Sequence, residues 1–155
     1  MCIRDRFATP KFSVNLLGSP LNILIIDSGS VSQTKAMVEQ ARLWKEANLG
    51  KWDNLYKQAD LLVKEASQAL EGGDLGKLGQ TMTANHQLLQ ELGVSTPGLD
   101  ELVNIALQAG ALGAKLTGGG GGGSVITLVD EARKLAVKQA LEQSGHLVWD
   151  AVISN

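Results

Sequence analysis

Little in this sequence invites cross-linking or metal chemistry. Its 155 residues include a single cysteine, Cys2, and two histidines, which excludes an internal disulfide framework and leaves no His/Cys cluster for a metal. That cysteine usage fits a reducing compartment, and the expected location is cytoplasmic. Aromatic residues are scarce at 4% and prolines number three. No apolar run approaches the roughly 18 residues that a membrane span needs, so no membrane partner is expected. A net charge of −2 offers no basic surface for nucleic acid. Residues 1–6, Met-Cys-Ile-Arg-Asp-Arg, lack the apolar core of a secretory signal and have no periodicity joining them to the neighbouring stretch, so they read as foreign to the fold.

What is present suits one globular domain: 44% hydrophobic residues, 19% charged, and a length sufficient for a core. The division expected is a non-native or residual segment over residues 1–20 and one domain over 21–155. Lys11–Leu17 reads as an edge strand. Leu21–Ile26 is a β-branched run ended by Asp27-Ser28-Gly29-Ser30, the pattern of a buried strand entering a polar loop, with Asp27 as a strand-end residue.

From Gln33 the period becomes helical. Thr34, Met37, Val38, Ala41 and Trp44 share one face, which puts Thr34 on the first turn beside the loop. Leu55, Ala59, Leu62, Val63, Ala66 and Leu70 predict a second helix stopped by Gly72-Gly73. Asp74 is placed to cap a third, whose Leu75, Leu78, Met82, Asn85, Leu89 and Leu92 step by threes and fours. Thr96-Pro97 opens a fourth with Leu99, Leu102, Val103 and Ala106 inward. After two strands flanking a glycine run, Asp130 caps a last helix expected to bury Ala132, Leu135, Ala136 and Ala140. His146–Ile153 closes the chain as a strand. Helices clustered between strands predict an α+β fold, a mostly antiparallel sheet with helices on one face.

The glycine run, Gly118 to Gly123, is the most distinctive stretch. Gly118, Gly120 and Gly123 satisfy G-x-G-x-x-G, as any six glycines do, but Val125–Val129 reads as a strand where a dinucleotide loop must open a helix. No Lys-Ser or Lys-Thr comes after the glycines, so the P-loop pattern is absent too. Two readings remain: a tight hairpin or close-packing device, and an anion-binding loop of successive N–H groups that something must approach closely. Lys115 beside it reads equally as a phosphate contact or a salt-bridge partner. Asn85 and His86 read as a satisfied polar contact between packed helices. Trp44, Trp52 and Trp149 read as core anchors or edge covers.

Gly110-Ala-Leu-Gly-Ala-Lys-Leu-Thr-(Gly)6-Ser124 resembles the C-terminal glycine motif of the GHMP kinase superfamily, and Met82-Thr-Ala-Asn-His-Gln-Leu-Leu through Asp100 is similar to its mevalonate kinase branch. Ile26-Asp-Ser-Gly-Ser-Val-Ser-Gln-Thr-Lys35 is similar to the same family's strand–loop–helix, which holds a threonine near the substrate. The resemblance covers about residues 21–153. It departs at Gly119, where the family usually has alanine, and at Ser124, where it often has cysteine. The missing methyl at Gly119 is one that would pack on the ligand.

The resemblance implies the family's ferredoxin-like C-terminal domain. It implies phosphoryl transfer from ATP, with Mg²⁺, to the primary hydroxyl of mevalonate. It implies a nucleotide and substrate cleft buttressed and lined by Gly118, Gly119, Gly120, Gly121 and Gly122, with Thr34 near the substrate. The main phosphate loop and the acid/base aspartate belong to an N-terminal domain that nothing in residues 1–20 resembles. No catalytic residue and no metal ligand is therefore expected here, and the chain is expected to be an inactive fragment whose exposed apolar face favours self-association; a homodimer fits that reading. Alternatives are another GHMP kinase or the related diphosphomevalonate decarboxylase, a non-catalytic small-molecule-binding module, and a structural or dimerisation domain.

Overall fold

The structure, a computed structural model, describes residues 20–154. The strand expected over 11–17, and all of the suspected foreign segment except Pro20, lie outside the described residues. The elements run β1 (Leu21–Asp27), α1 (Thr34–Ala47), α2 (Leu49–Gly72), α3 (Leu75–Glu91), α4 (Pro97–Gln108), β2 (Gly113–Thr117), β3 (Ser124–Val129), α5 (Glu131–Gln143) and β4 (Val148–Ile153). The four strands form one sheet in the order β2-β3-β1-β4, every pair antiparallel. The fold is α+β with an antiparallel sheet, as the sequence predicts, but helical residues meet both faces of the sheet where one was expected, α4 and α5 on one side and the α2–α3 end on the other.

Caps set the helix starts where the sequence places them. Asp74 accepts the Lys77 N–H at 2.8 Å, Thr96 Oγ1 accepts that of Leu99 at 3.3 Å, and Asp130 accepts that of Arg133 at 2.7 Å. Each supplies a partner that the first helical turn lacks. Gly73 ends α2 with φ of +70°, a left-handed value that glycine adopts without a Cβ penalty. The helix predicted from Leu55 begins earlier, at Leu49. Only Asn48 separates it from α1, and Trp52 on its first turn sits 6.4 Å, ring to ring, from Trp44.

Alternation along β1 divides the interior. Leu24 and Ile26, with Val125, Val129, Ala114 and Leu116 on neighbouring strands, face Leu99, Leu102, Val103 and Ala106 of α4 and Val137 and Leu141 of α5. Leu21, Ile23 and Leu128 point the other way, toward Ala69 of α2 and Leu78 of α3. Burial of each large apolar side chain contributes about 1.5–3 kcal/mol, so the α4 face, wholly buried as predicted, anchors the domain.

The α5 expectation needs correction. The helix buries Val137 and Leu141, while Ala132, Leu135 and Ala136 face solvent and Ala140 is half-buried. Val137 and Leu141 lie one turn apart and offer more apolar area than an alanine stripe, so that face wins. Lys134 and Lys138 fasten the same orientation by reaching Asp150 on β4. The last strand starts at Val148, two residues later than predicted, with the Leu147 carbonyl just before it accepting the Asp27 N–H at 3.1 Å.

At the β2 edge, α3 comes close enough for backbone contact. A Cβ on Gly79 would lie 2.1 Å from the Leu112 carbonyl oxygen, and one on Gly113 would lie 2.1 Å from that of Gly79. Glycine at both positions is what lets the helix settle on the strand.

Candidate functional site

The glycine run joins β2 to β3, and its partners belong to this chain itself. The Gly121 N–H donates to the Val94 carbonyl at 2.9 Å, and the Gly123 N–H to that of Ser30 at 2.8 Å. The Gly123 carbonyl accepts from the Ser28 N–H at 2.9 Å, and Gly120's from Ser32 Oγ at 3.0 Å. Two segments therefore grip the loop: the turn after α3 and the polar loop 28–33 after β1.

That grip explains the glycines. A Cβ on Gly120 would stand 2.2 Å from the Val94 oxygen, on Gly121 2.7 Å from Met37 Cγ, and on Gly122 2.8 Å from the Val31 oxygen. These three residues also hold φ of +81°, +70° and +130°, where side chains are strained. Something does approach the loop closely, and it is the chain itself, through the Val94 and Val31 backbone and the Met37 side chain. Gly118 differs: it is exposed, has φ of +85°, and a Cβ there would meet nothing within 4 Å.

A methyl on Gly119 would lie 2.7 Å from Thr34 Cγ2, so it would press on Thr34 and not on a ligand. The sequence expectation for that methyl is corrected accordingly. The structure thus brings Thr34 beside the rim formed by Gly118 and Gly119, with Gly120–Gly122 as the inner, clamped part. Thr34 is exposed at the start of α1, 3.1 Å through its hydroxyl from Ser32 Oγ. Ser32 has one proton, which it gives to the Gly120 carbonyl, so Thr34 donates in this pair and keeps oxygen lone pairs facing outward. An open hollow beside it is lined by Ser32, Gln33, Thr34, Lys35, Ala36 and Glu39. A more enclosed apolar cavity of about 290 Å³ lies between α2 and α3, lined by Trp52, Leu55, Tyr56 and Leu89 among others and by none of the glycines.

Asp27 has the strand-end role read from the sequence, its Oδ1 accepting the Gly29 N–H at 3.0 Å in a local turn. Lys115 donates from Nζ to the Leu116 carbonyl at 2.9 Å. Of the Asn85-His86 pair, His86 is the buried member, at 2% exposure, and it meets a strand edge as well as a second helix, α4. His86 Nδ1 accepts the Leu116 N–H at 3.3 Å, and Thr83 Oγ1, one turn earlier, accepts that of Ala114 at 3.4 Å. Together they occupy outward amides of edge strand β2. His86 Nε2 lies 3.1 Å from Asp100 Oδ1, without the alignment of a full hydrogen bond. Burial pushes the imidazole below its usual range against the opposing pull of Asp100, so the ring is neutral at pH 7. Sequence reasoning missed this arrangement because nothing in the pattern says that β2 is an edge.

Among the described residues, no group of three or more His, Cys, Asp or Glu is placed to hold a metal ion.

The comparisons agree with the geometry. The family described as GHMP kinases C terminal matches residues 65–147, just over half of the chain. The mevalonate kinase of Aeropyrum pernix is 41% identical over 135 residues, covering 86% of this chain and 41% of that protein. The galactokinase of Streptomyces coelicolor is 42% identical over 86 residues, covering 55% of this chain and 22% of that one. Among solved structures, L. major mevalonate kinase in complex with R-mevalonate superposes with a TM-score of 0.86 at 29% identity, over 90% of this chain and 44% of that one. The chain thus spans less than half the length of these relatives. With its clamped glycine loop, its antiparallel sheet and this agreement in sequence, it belongs to the GHMP kinases and carries their C-terminal domain, in the mevalonate kinase form.

Proposed function

We propose that this chain forms the C-terminal wall of the cleft of an ATP-dependent mevalonate kinase, and that residues outside 20–154 supply the acid/base group and the main phosphate loop. The observation that carries the reading is the loop itself: Gly120–Gly122 locked against Val94, Met37 and Val31, with Gly119 against Thr34 and Gly118 open next to it. Phosphoryl transfer depends mainly on positioning and charge stabilisation, and a rim held rigid from behind is suited to both.

In this reading ATP is the phosphoryl donor, with Mg²⁺ held by its phosphates and by groups beyond these residues. The Thr34 oxygen, its proton already committed to Ser32, accepts a hydrogen bond from a substrate hydroxyl. The exposed Gly118 backbone, with half-buried Gly119 beside it, permits close approach of the reacting groups. Gly120–Gly122 act as a buttress and make no ligand contact of their own. The chain alone is inactive, in a cytoplasmic setting.

The test is a chimera in which residues 21–153 replace the matching part of the Aeropyrum pernix mevalonate kinase. ATP-dependent phosphorylation of mevalonate by the chimera, with none by the 155-residue chain alone, is the expected result. Thr34→Val in the chimera should raise KM or lower kcat for mevalonate while Thr34→Ser restores it. A folded chimera that phosphorylates galactose and not mevalonate would move the assignment elsewhere in the family. Turnover by the isolated chain would overturn the division of labour proposed here.

A further inference from the structure

The buried imidazole under the glycine loop has no part in the proposed phosphoryl transfer. His86 contacts two of the structures that hold that loop in place. Through Nδ1 it takes the amide of Leu116, the second-last residue of β2, two residues before Gly118. Through Nε2 it faces Asp100 on the first turn of α4, and Asp100 Oδ1 accepts from Ser95 Oγ at 2.5 Å. Ser95 is the residue after Val94, whose carbonyl receives the Gly121 N–H and would collide with any side chain at Gly120. One ring therefore bridges the strand leading into the loop and the turn that clamps its middle.

The ring can do this in only one form. Nδ1 accepts, so the single proton of the neutral imidazole must sit on Nε2, pointing toward Asp100. The charged groups facing the ring are Asp100 from α4 and Lys115 from β2.

We propose that His86, as its neutral Nε2–H tautomer, is the positioning residue of the glycine loop, holding β2 through Leu116 and the Val94 clamp through Asp100 and Ser95. The role is independent of the phosphoryl-transfer reading, because it concerns loop geometry in this chain whatever the ligand.

The two contacts can be separated by substitution. Asn places an acceptor near the Nδ1 position and leaves the Asp100 side empty; Gln places a donor near the Nε2 position and leaves the Leu116 amide without its acceptor. The measurement is amide hydrogen exchange by NMR on the ¹⁵N-labelled 155-residue protein, read at Leu116 and Gly121, with Leu24 in the central strand as the reference. In His86→Asn, Gly121 should exchange about fivefold faster or more while Leu116 stays protected; in His86→Gln the pattern should reverse. Ser95→Ala, at a half-buried position where folding is not at stake, should speed Gly121 and leave Leu116 unchanged. The ¹⁵N shifts of the wild-type ring should show Nε2 protonated at pH 7. Equal acceleration at Gly121, Leu116 and Leu24 would show that His86 carries only global stability and would overturn the proposal. So would an unchanged Gly121 in both His86→Asn and Ser95→Ala, or a ring protonated on Nδ1.

Discussion

Replacing Gly120 by alanine puts the clamped-loop account to its most direct trial. The added methyl would stand 2.2 Å from the Val94 carbonyl oxygen, where ordinary contact begins near 3.4 Å, so the loop and the turn must part by about 1 Å. Separation breaks the 2.9 Å bond from the Gly121 N–H to that carbonyl, a loss of about 1–3 kcal/mol when the groups stay buried. Holding alanine at φ of +81° costs about 1–2 kcal/mol more. The sum, about 2–5 kcal/mol, is a large part of the roughly 5–15 kcal/mol by which a domain is stable.

Gly118→Ala is the matched control, since φ is +85° there but nothing lies within 4 Å. It should carry only the backbone part, about 1–2 kcal/mol. Scanning calorimetry with urea melts checks the pair: at about 2–4 °C per kcal/mol for a chain of this size, Tm should drop by about 10 °C for Gly120→Ala and by about 4 °C for Gly118→Ala. Equal drops for the two variants would refute the idea that Val94 grips the middle of the loop.

The same packing sets four further outcomes. Leu141→Ala should cost about 2–5 kcal/mol in urea melts, whereas Leu135→Ala, at a side chain 65% exposed, should stay within about 0.5 kcal/mol. Thr127→Val should stabilise the protein by about 1 kcal/mol, because the Thr127 hydroxyl is fully buried with no hydrogen-bond partner and valine keeps its shape. Folded His86 binds its proton less readily than the unfolded chain, whose histidines titrate near 6.5. The unfolded state therefore takes up more protons just below that pH, and stability should fall as pH drops from 6.5 through the folded-state value and hold steady above 6.5; His86→Asn should remove that part of the pH profile. Trp149 and Ile153, on one face of β4, are 49% and 44% exposed, so light scattering should show concentration-dependent self-association that Trp149→Lys reduces, and a monodisperse monomer at all concentrations would count against this face being adhesive.

Local chemistry made much of this protein legible. The caps at Asp74, Thr96 and Asp130 act within three residues of themselves, so their effect on helix starts needs no knowledge of the fold. The β-branched run at Leu21–Ile26 and the inward face of α4 were readable because the first is a buried strand and the second a buried helical stripe, as their composition and spacing dictate. Resemblance around the glycine run pointed to the right family for a similar reason: six glycines in a row are rare, and what they permit is a property of the backbone alone.

Only the tertiary structure decided what met those elements. The face of α5 could not be chosen from spacing because an alanine stripe and the Val137–Leu141 stripe compete on one helix, and contact with the sheet and Asp150 selects between them. His86 and not Asn85 became the buried polar group because α3 lies along a strand edge whose free amides need acceptors, and edges exist only once the sheet has an order. The sequence by itself determined that residues 118–123 must turn without side chains. That the bare backbone is needed for Val94, Val31, Met37 and Thr34, and that Gly118 alone is left facing outward, depends on segments far apart in the chain and brought together only by folding.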